Sequence, residues 1–356
     1  MNVKTIVAVV VAAGRSSRMG EFKPLLPFRG STVAETVVST LRSAGAESVV
    51  VVTGREAKRL EAVLGPGIEY VHNASYASTS MFVSASLGLA EARHRADRIF
   101  FTPADVPLFT RETLLRLLKS DARAVVPTHF GSPGHPVLLS SFVVPEILDH
   151  PEGTLREALA ACGTEYVEVP DLGVLIDVDT PADYTLSRLL AGELPEGGAI
   201  PERIRRHMKA TADFATTLGA LLNARGNCGL NLPELELAAS LHDIRRTEPH
   251  HALAGARTLA EAGQPRLAEI VRQHMLPDEA ERMKISEVTV LYLADKMTEE
   301  DRVVSLEERF RSQRTKKLGS LQAVEQRFSV ASALKNRMEL LIGEKITPGL
   351  LRFGEM

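Results

Sequence analysis

Thr5-Ile-Val-Ala-Val-Val-Val-Ala-Ala-Gly14-Arg-Ser-Ser-Arg18-Met-Gly20-Glu-Phe-Lys23-Pro-Leu-Leu26 decides the reading of the first half of the chain. Its opening run is apolar without alternation, which predicts a parallel strand buried on both faces. Small residues follow at once, so backbone N–H groups there can approach a phosphate closely. Arg18 and Lys23 add cationic donors. A strand, a Gly-containing basic loop and then a helix make an anion site at the strand's carboxyl end. The spacing is neither that of a P-loop nor GxGxxG. Lys4 before the apolar Ile6–Ala13 also invites comparison with a signal peptide, but the run is too short to span a membrane and Gly14-Arg15 interrupts it.

Outward from this stretch, strands and helices alternate. Strands are expected at Thr5–Val11, Ser48–Val52, Arg98–Thr102 and Ala124–Pro127, with helices at Thr32–Ala44, Ala57–Leu64, Ser84–Arg93 and Arg111–Lys119. That order predicts an α/β, Rossmann-like, mostly parallel sheet with helices on both faces. The Gly- and Pro-rich AGELPEGGAIP at 191–201 reads as a linker. Beyond it the strand signals fade. Helices are expected at Arg203–Asn223, Leu232–Asp243, Ala252–Ala262, Arg266–His274 and Ser286–Thr298, followed by a helical tail. The expected organisation is a domain at 1–192, a linker at 193–201 and an all-α domain at 202–356.

Composition agrees with two soluble domains. The chain has 356 residues, 44% hydrophobic and 24% charged, with a net charge of −3. That balance gives no pull toward nucleic acid or an anionic membrane. Cys162 and Cys228 are too few for a disulfide scaffold and read as cytoplasmic thiols. The charge mix of the tail suits an exposed helix or a contact in a homo-oligomer.

Two acidic segments accompany the basic loop. Phe101-Thr-Pro-Ala-Asp105-Val-Pro-Leu108 ends an apolar strand, which puts Asp105 at its carboxyl edge, where a carboxylate otherwise serves as a helix N-cap. Leu175-Ile-Asp177-Val-Asp179-Thr-Pro181 places Asp177 and Asp179 on one face of an extended segment, with a helix starting near Pro181. Two such carboxylates repel unless a cation or proton lies between them, although Asp179 also suits a simple helix cap.

The string Ala12-Ala13-Gly14 through Leu26 resembles the AAGxSxRMGxxKPLL signature of GT-A-like nucleotidyltransferases. The resemblance implies that Ala12, Ala13 and Gly14 wrap the triphosphate, that Arg18 and Lys23 stabilise transition-state charge, and that Asp105, with Asp177 and Asp179, holds Mg²⁺. Ala12-Ala13-Gly14 resembles the molybdenum cofactor cytidylyltransferases, whose guanylyl-transferring relatives tend to have Ala-Gly-Gly, and two further segments are similar to the same group. One is Asn73-Ala-Ser-Tyr76 with Ser80-Met81 and Ser84, where Ala74 and Ser80 depart from the usual Pro and Gly. The other is Gly134-His135-Pro136-Val137, implied to face the pterin. The implied reaction takes CTP, or another NTP, and a molybdopterin-type phosphorylated acceptor. An activated-sugar enzyme is the competing reading.

In the second half the residues argue before any family does. Leu267, Ile270, Val271 and His274 fall at i, i+3, i+4 and i+7. Val288, Leu291, Tyr292 and Asp295 repeat the spacing, as do Leu235, Ala238, Ala239 and His242, with Asp243 adjacent. Ile204 and Met208 flank His207. Aspartate is seldom buried unpaired, and imidazoles plus carboxylates suit Mn, Fe, Ni, Co or Zn.

The order His207, His242-Asp243, Asp295 resembles the HD superfamily of metal-dependent phosphohydrolases. His251 and His274 are similar to extra histidines of its two-metal members; the doublet His250-His251 offers two candidates, of which His251 is preferred. Where such proteins often read His-Asp-Ile-Gly-Lys, this chain has His242-Asp243-Ile244-Arg245-Arg246. That departure leaves a non-catalytic binding module as the competing reading.

Overall fold

The computed structural model describes residues 4–351 except 15, 17, 151–152 and 316–319. The chain divides into two compact units, 1–187 and 188–356.

The first unit is built on strands β1 (Ile6–Ala12), β2 (Ser48–Thr53), β3 (Glu69–His72), β4 (Arg98–Pro103), β5 (Ala124–His129), β6 (Ser132–Pro133), β7 (Val137–Ser140) and β8 (Glu165–Glu168). The sheet order is β8-β5-β7-β4-β1-β2-β3, with β6 on β5. Central β1 pairs in parallel with β2 and β4, so their carboxyl ends open on the same edge. From Val7 to Ala12 every residue of β1 is buried, as a strand covered on both faces requires.

Strand β7 runs antiparallel to both β4 and β5, so the sheet is mixed at that point. Its apolar core is only Val137-Leu138-Leu139, too short to declare a strand in sequence. Helices α1 (Val33–Ser43), α2 (Ala57–Leu64), α3 (Met81–Ala92), α4 (Arg111–Leu117) and α5 (Pro181–Leu190) complete the pattern. Helix α3 lies close on β1 and β2. A Cβ at Gly88 would stand 2.6 Å from Val9 Cγ1 and 2.7 Å from Val52 Cγ2, so glycine sets that approach.

The second unit is helical: α6 (Glu202–Gly226), α7 (Leu232–Leu241), α8 (His251–Glu261), α9 (Pro265–Arg272), α10 (Glu287–Lys296), α11 (Leu306–Thr315) and α12 (Leu321–Ile342). Helix α10 is buried on every side and packs on α6, α7 and α12. One small hairpin, Thr298–Glu299 with Arg302–Val303, interrupts the all-α pattern. Two-residue strands carry no periodicity to read. Residues 191–200 close into a turn: Ile200 N–H donates to Gly192 O at 2.8 Å, and Ile200 is buried. Among the described residues no helix is long and apolar enough to cross a membrane.

Candidate active sites

The phosphate-loop residues gather at the carboxyl edge of β1 and β4. A cavity of about 320 Å³ is lined by Ala12, Ala13, Gly14, Ser16, Arg18 and Lys23, and across from them by Ser80, Ser84, Asp105 and Asp179. Lys23 is the hub. Its Nζ donates to Asp179 Oδ1 at 2.5 Å and to Asp105 Oδ2 at 3.1 Å. Arg18 Nη1 donates to Asp179 Oδ2 at 2.8 Å. Burial alone would lower the Lys23 pKa; the two carboxylates outweigh it and hold the ammonium above its usual range. Burial also raises the Asp105 carboxyl, with Lys23 partly offsetting it, whereas the Lys23 hydrogen bond leads the forces that lower Asp179.

Neither aspartate is spent as a helix cap. Thr180 caps α5 instead: its Oγ1 accepts from Asp183 N–H at 3.2 Å, and Asp183 Oδ2 accepts from Thr180 N–H at 2.8 Å. Asp105 stands in the turn after β4, well before α4, whose cap is Thr110. Its carbonyl accepts from Val178 N–H at 2.8 Å, which ties the two acidic segments together.

Asp177 is the exception. It lies in irregular backbone after a 3₁₀ turn rather than in a strand, is exposed, and does not line the cavity. Partial desolvation, then Asp179 and Asp105, raises its carboxyl. Val178 between the two aspartates is fully buried, so the alternation still turns both outward.

Ser84 and Ser80 belong to the wall that starts α3. Buried Asn73 organises it, donating from Nδ2 to Ser84 Oγ at 2.9 Å and to Thr79 Oγ1 at 3.1 Å, while its Oδ1 accepts from Ser75 N–H at 3.0 Å. Ser80 stands at the N-cap position with no side-chain cap bond, which leaves its hydroxyl for the cavity.

A second cavity of about 680 Å³ shares Ser80, Met81 and Pro103 with the first. Phe82, Phe101, Tyr166, Gly134 and His135 line it, with Arg156 as a cation. At Gly134 a Cβ would stand 2.3 Å from Val174 O, so only glycine fits against the 3₁₀ turn at Leu172–Leu175. The His135 ring is part-exposed at its edge, but its Nδ1 is enclosed without a partner. Burial, then Arg156, lowers its pKa to about 4, so the ring is neutral near pH 7.

In the second unit, α6, α7, α8, α9 and α10 bring together all six residues marked in the sequence. His207 Nε2 lies 3.2 Å from Asp295 Oδ1 and 3.8 Å from Asp243 Oδ2; His242 Nε2 lies 3.6 and 3.7 Å from the same two oxygens. On the other side, Asp243 Oδ1 faces His251 Nε2 at 3.3 Å and His274 Nε2 at 3.4 Å. One carboxylate therefore joins two ligand groups, His207–His242–Asp243 and Asp243–His251–His274.

These atoms fit divalent metals. His242 Nδ1 donates to Ala239 O at 2.8 Å and His274 Nδ1 to Val271 O at 2.7 Å, which fixes each proton and turns a lone pair at Nε2 inward. Yet both Nε2 atoms, and Asp243 Oδ1, are buried without a hydrogen-bond partner. Bonds of about 2.1 Å in a tetrahedral array separate ligand atoms by about 3.4 Å, the spacing found here.

Burial opposes ionisation of Asp243, but His242, His274 and Arg246 hold it well below the carboxylate range. For Asp295 the opposing groups are Lys296, His207 and His242. His242 is drawn upward against its own burial by Asp243 and Asp295. Burial lowers His251 to about 4.

Two contributors were given no role in the sequence reading. Lys296, buried, pairs with Asp295 Oδ2 and donates to His274 O at 3.2 Å, so Asp295 keeps Oδ1 for the ligand group. A lysine in a wholly buried helix was the signal. Glu300 O, in the turn of the small hairpin, accepts from His207 Nδ1 at 2.8 Å; nothing in sequence marks a backbone carbonyl. Asn73 was legible only as part of a motif.

Position 245 does not need glycine, because it is absent from the positive-φ residues. Arg245 instead pairs with Glu196 and Glu248 and donates to Thr258 Oγ1 at 2.9 Å.

Comparison with known proteins agrees with both halves. Residues 8–169 match the MobA-like NTP transferase domain and residues 204–300 the HD domain. The chain is 29% identical over 189 residues to a molybdenum cofactor cytidylyltransferase of Escherichia coli, covering 51% of this chain and 95% of the relative. It is 28% identical over 200 residues to the purine catabolism protein PucB of Bacillus subtilis (51% and 96%). It is also 28% identical over 190 residues to a probable molybdenum cofactor guanylyltransferase of Rhodopirellula baltica (50% and 89%). With a basic loop and paired aspartates in one unit and a histidine–aspartate cluster in the other, the chain carries a MobA-like NTP transferase domain over residues 8–169 followed by an HD domain over residues 204–300.

Proposed function

We propose that the first unit transfers a cytidylyl group from CTP to a phosphate of a molybdopterin-type acceptor, and that the second hydrolyses a phosphate ester or anhydride. The observation that carries the first reading is Lys23, held between Asp105 and Asp179 at a cavity that the basic loop encloses. An acceptor phosphate oxygen attacks the α-phosphorus in line. The bond from that phosphorus to the bridging oxygen breaks, and pyrophosphate leaves. Lys23 and Arg18 release their carboxylates to meet the triphosphate, and the loop amides bind its remaining oxygens. The freed Asp105 and Asp179, with Asp177 adding negative charge nearby, would hold Mg²⁺, which would supply further neutralisation. No side chain acts as nucleophile; positioning carries the rate.

The cavity beside it supports a flat, phosphorylated acceptor. Aromatic walls suit a pterin ring, neutral His135 offers a hydrogen bond to its edge, and Arg156 offers charge to a phosphate. The cytidylyl choice rests on the E. coli relative and on the motifs of residues 12–14, 73–86 and 134–137. The guanylyl relative favours GTP as the second reading. The test offers all four NTPs against molybdopterin and against sugar 1-phosphates and measures pyrophosphate. CTP with molybdopterin is expected to turn over fastest; turnover of a sugar 1-phosphate alone would refute the acceptor.

For the second unit, the orphaned Nε2 atoms of His242 and His274 carry the reading. Those residues would hold a divalent transition metal (Mn, Fe, Ni, Co or Zn), which would supply activation of a water. His207, His242, Asp243 and Asp295 would hold one ion, and Asp243, His251 and His274 another. Phosphatase activity on nucleotides with Mn²⁺ or Ni²⁺ is expected and should vanish in Asp243→Asn. Hydrolysis that survives the substitution would leave the unit a binding module.

A further inference from the structure

The two ligand groups of the second unit differ in one contact. Nε2 of His207 and of His242 face carboxylate oxygens. Nε2 of His251 also meets Arg246 Nη1 at 2.9 Å, and the same guanidinium places its Nε 3.5 Å from Asp243 Oδ2. A guanidinium has only donors and does not lose its proton in a protein. His251 Nε2 is therefore the acceptor, and a lone pair engaged with N–H cannot also bind a metal. His274 Nε2, in the same group, has no partner at all.

The neighbouring arginine is not equivalent. Arg245 is anchored by Glu196, Glu248 and Thr258. The Arg246 side chain is 42% exposed. Arg246 thus engages a histidine of one ligand group and neither histidine of the other, while Asp243, which it also meets, belongs to both.

We propose that Arg246 is a built-in competitor for the second metal, and that a phosphate ligand, by drawing the guanidinium away, opens that position. This rests on the metal-centre reading above. The His207–His242–Asp243–Asp295 group takes up one divalent ion without displacing the guanidinium from His251, since Arg246 engages neither of its imidazoles. The Asp243–His251–His274 group takes up a second only when the guanidinium leaves His251. Substrate phosphate and second metal then bind cooperatively, because each favours the same displaced arginine.

The test is Mn²⁺ uptake by the full chain, followed by equilibrium dialysis and electron paramagnetic resonance. Asp105→Asn and Asp179→Asn are present throughout, so that the first unit contributes no carboxylate pair. With Arg246 in place, one tight equivalent is expected, and a second about ten- to hundredfold weaker. In Arg246→Met, which keeps the stem, two equivalents of similar affinity are expected. Inorganic phosphate should tighten the second equivalent in the parent and not in Arg246→Met. A thermal melt of each protein checks that the exposed substitution leaves the fold intact. Two equivalents bound alike by parent and Arg246→Met, or an equal phosphate effect on both, overturns the proposal. Binding of no Mn²⁺ by either overturns the metal-centre reading with it, which is a different result from equal binding by both.

Discussion

The two sites handle negative charge in opposite ways. In the first unit a cation of the chain itself, Lys23, stands between the paired carboxylates Asp105 and Asp179. In the second, cations lie outside the ring of ligands: Lys296 behind Asp295 and Arg246 at one flank, with bare nitrogen lone pairs pointing inward. The first arrangement is satisfied without a metal and is suited to an ion that arrives with a polyphosphate. The second leaves buried nitrogens and a carboxylate oxygen without hydrogen-bond partners, as a divalent ion would use them. Loops at a sheet edge, open to solvent, serve the first purpose; buried helix ends serve the second.

That contrast can be broken most sharply at Lys23. Lys23→Ala is expected to lower nucleotidyl transfer by about 10²–10³-fold, the usual loss of one preorganised charge, and to leave Mn²⁺-dependent hydrolysis unchanged. Pyrophosphate release and phosphatase assays on one preparation decide it.

Metal removal comes next. Saturating Mn²⁺ at about a hundred times its Kd should stabilise the second unit by about 2.7 kcal/mol, read as a calorimetric shift that chelator reverses. Mg²⁺ without NTP should move the first unit's transition far less. Equal shifts would erase the distinction between the sites.

A smaller effect concerns pH. His135 is held at about 4 in the folded chain, below the ordinary 6.5. Between these values the unfolded chain binds the extra proton, so stability falls as pH drops from about 6.5 toward 4. His135→Gln should remove about 1–2 kcal/mol of that loss, discounted because the ring edge meets solvent. Urea unfolding at pH 4.5 and 7.5 measures it.

Smallest is Glu196→Gln. Its bond to Arg245 is at the surface, and the change should cost under about 1 kcal/mol in melting experiments. A large loss would mean that the turn at 191–200 contributes more to the helical unit than an exposed ion pair can.

Much of this was legible in sequence because burial leaves periodic traces. The unbroken apolar runs at Ile6–Ala12 and Ser48–Thr53 announced parallel strands, and the i, i+3, i+4, i+7 stripes aimed His242, His274 and Asp295 inward. Asp179 was ambiguous between ligand and cap, because Asp179 and Thr180 are both good caps; only the Thr180–Asp183 bonds decide. Asp177 could not be separated from Asp179, since alternation gives the face and not the distance to the cavity. Strand β7 escaped because its short apolar core is held by β4 and β5, distant in sequence, and the hairpin after α10 because two-residue strands carry no periodicity. Lys296 and Arg246 were visible as residues but not as contacts.

The histidines that end α7 and α9 do two jobs with two nitrogens. Nδ1 of His242 closes the last turn of its helix on Ala239 O, and His274 does the same on Val271 O. An alanine at either position would delete a ligand and fray a helix together, so its phenotype would be uninterpretable. Asparagine, whose amide nitrogen overlays Nδ1 but which has nothing at Nε2, would keep the helix stopped and empty only the coordination position. The protein thus dictates which substitution gives a clean experiment on its own chemistry.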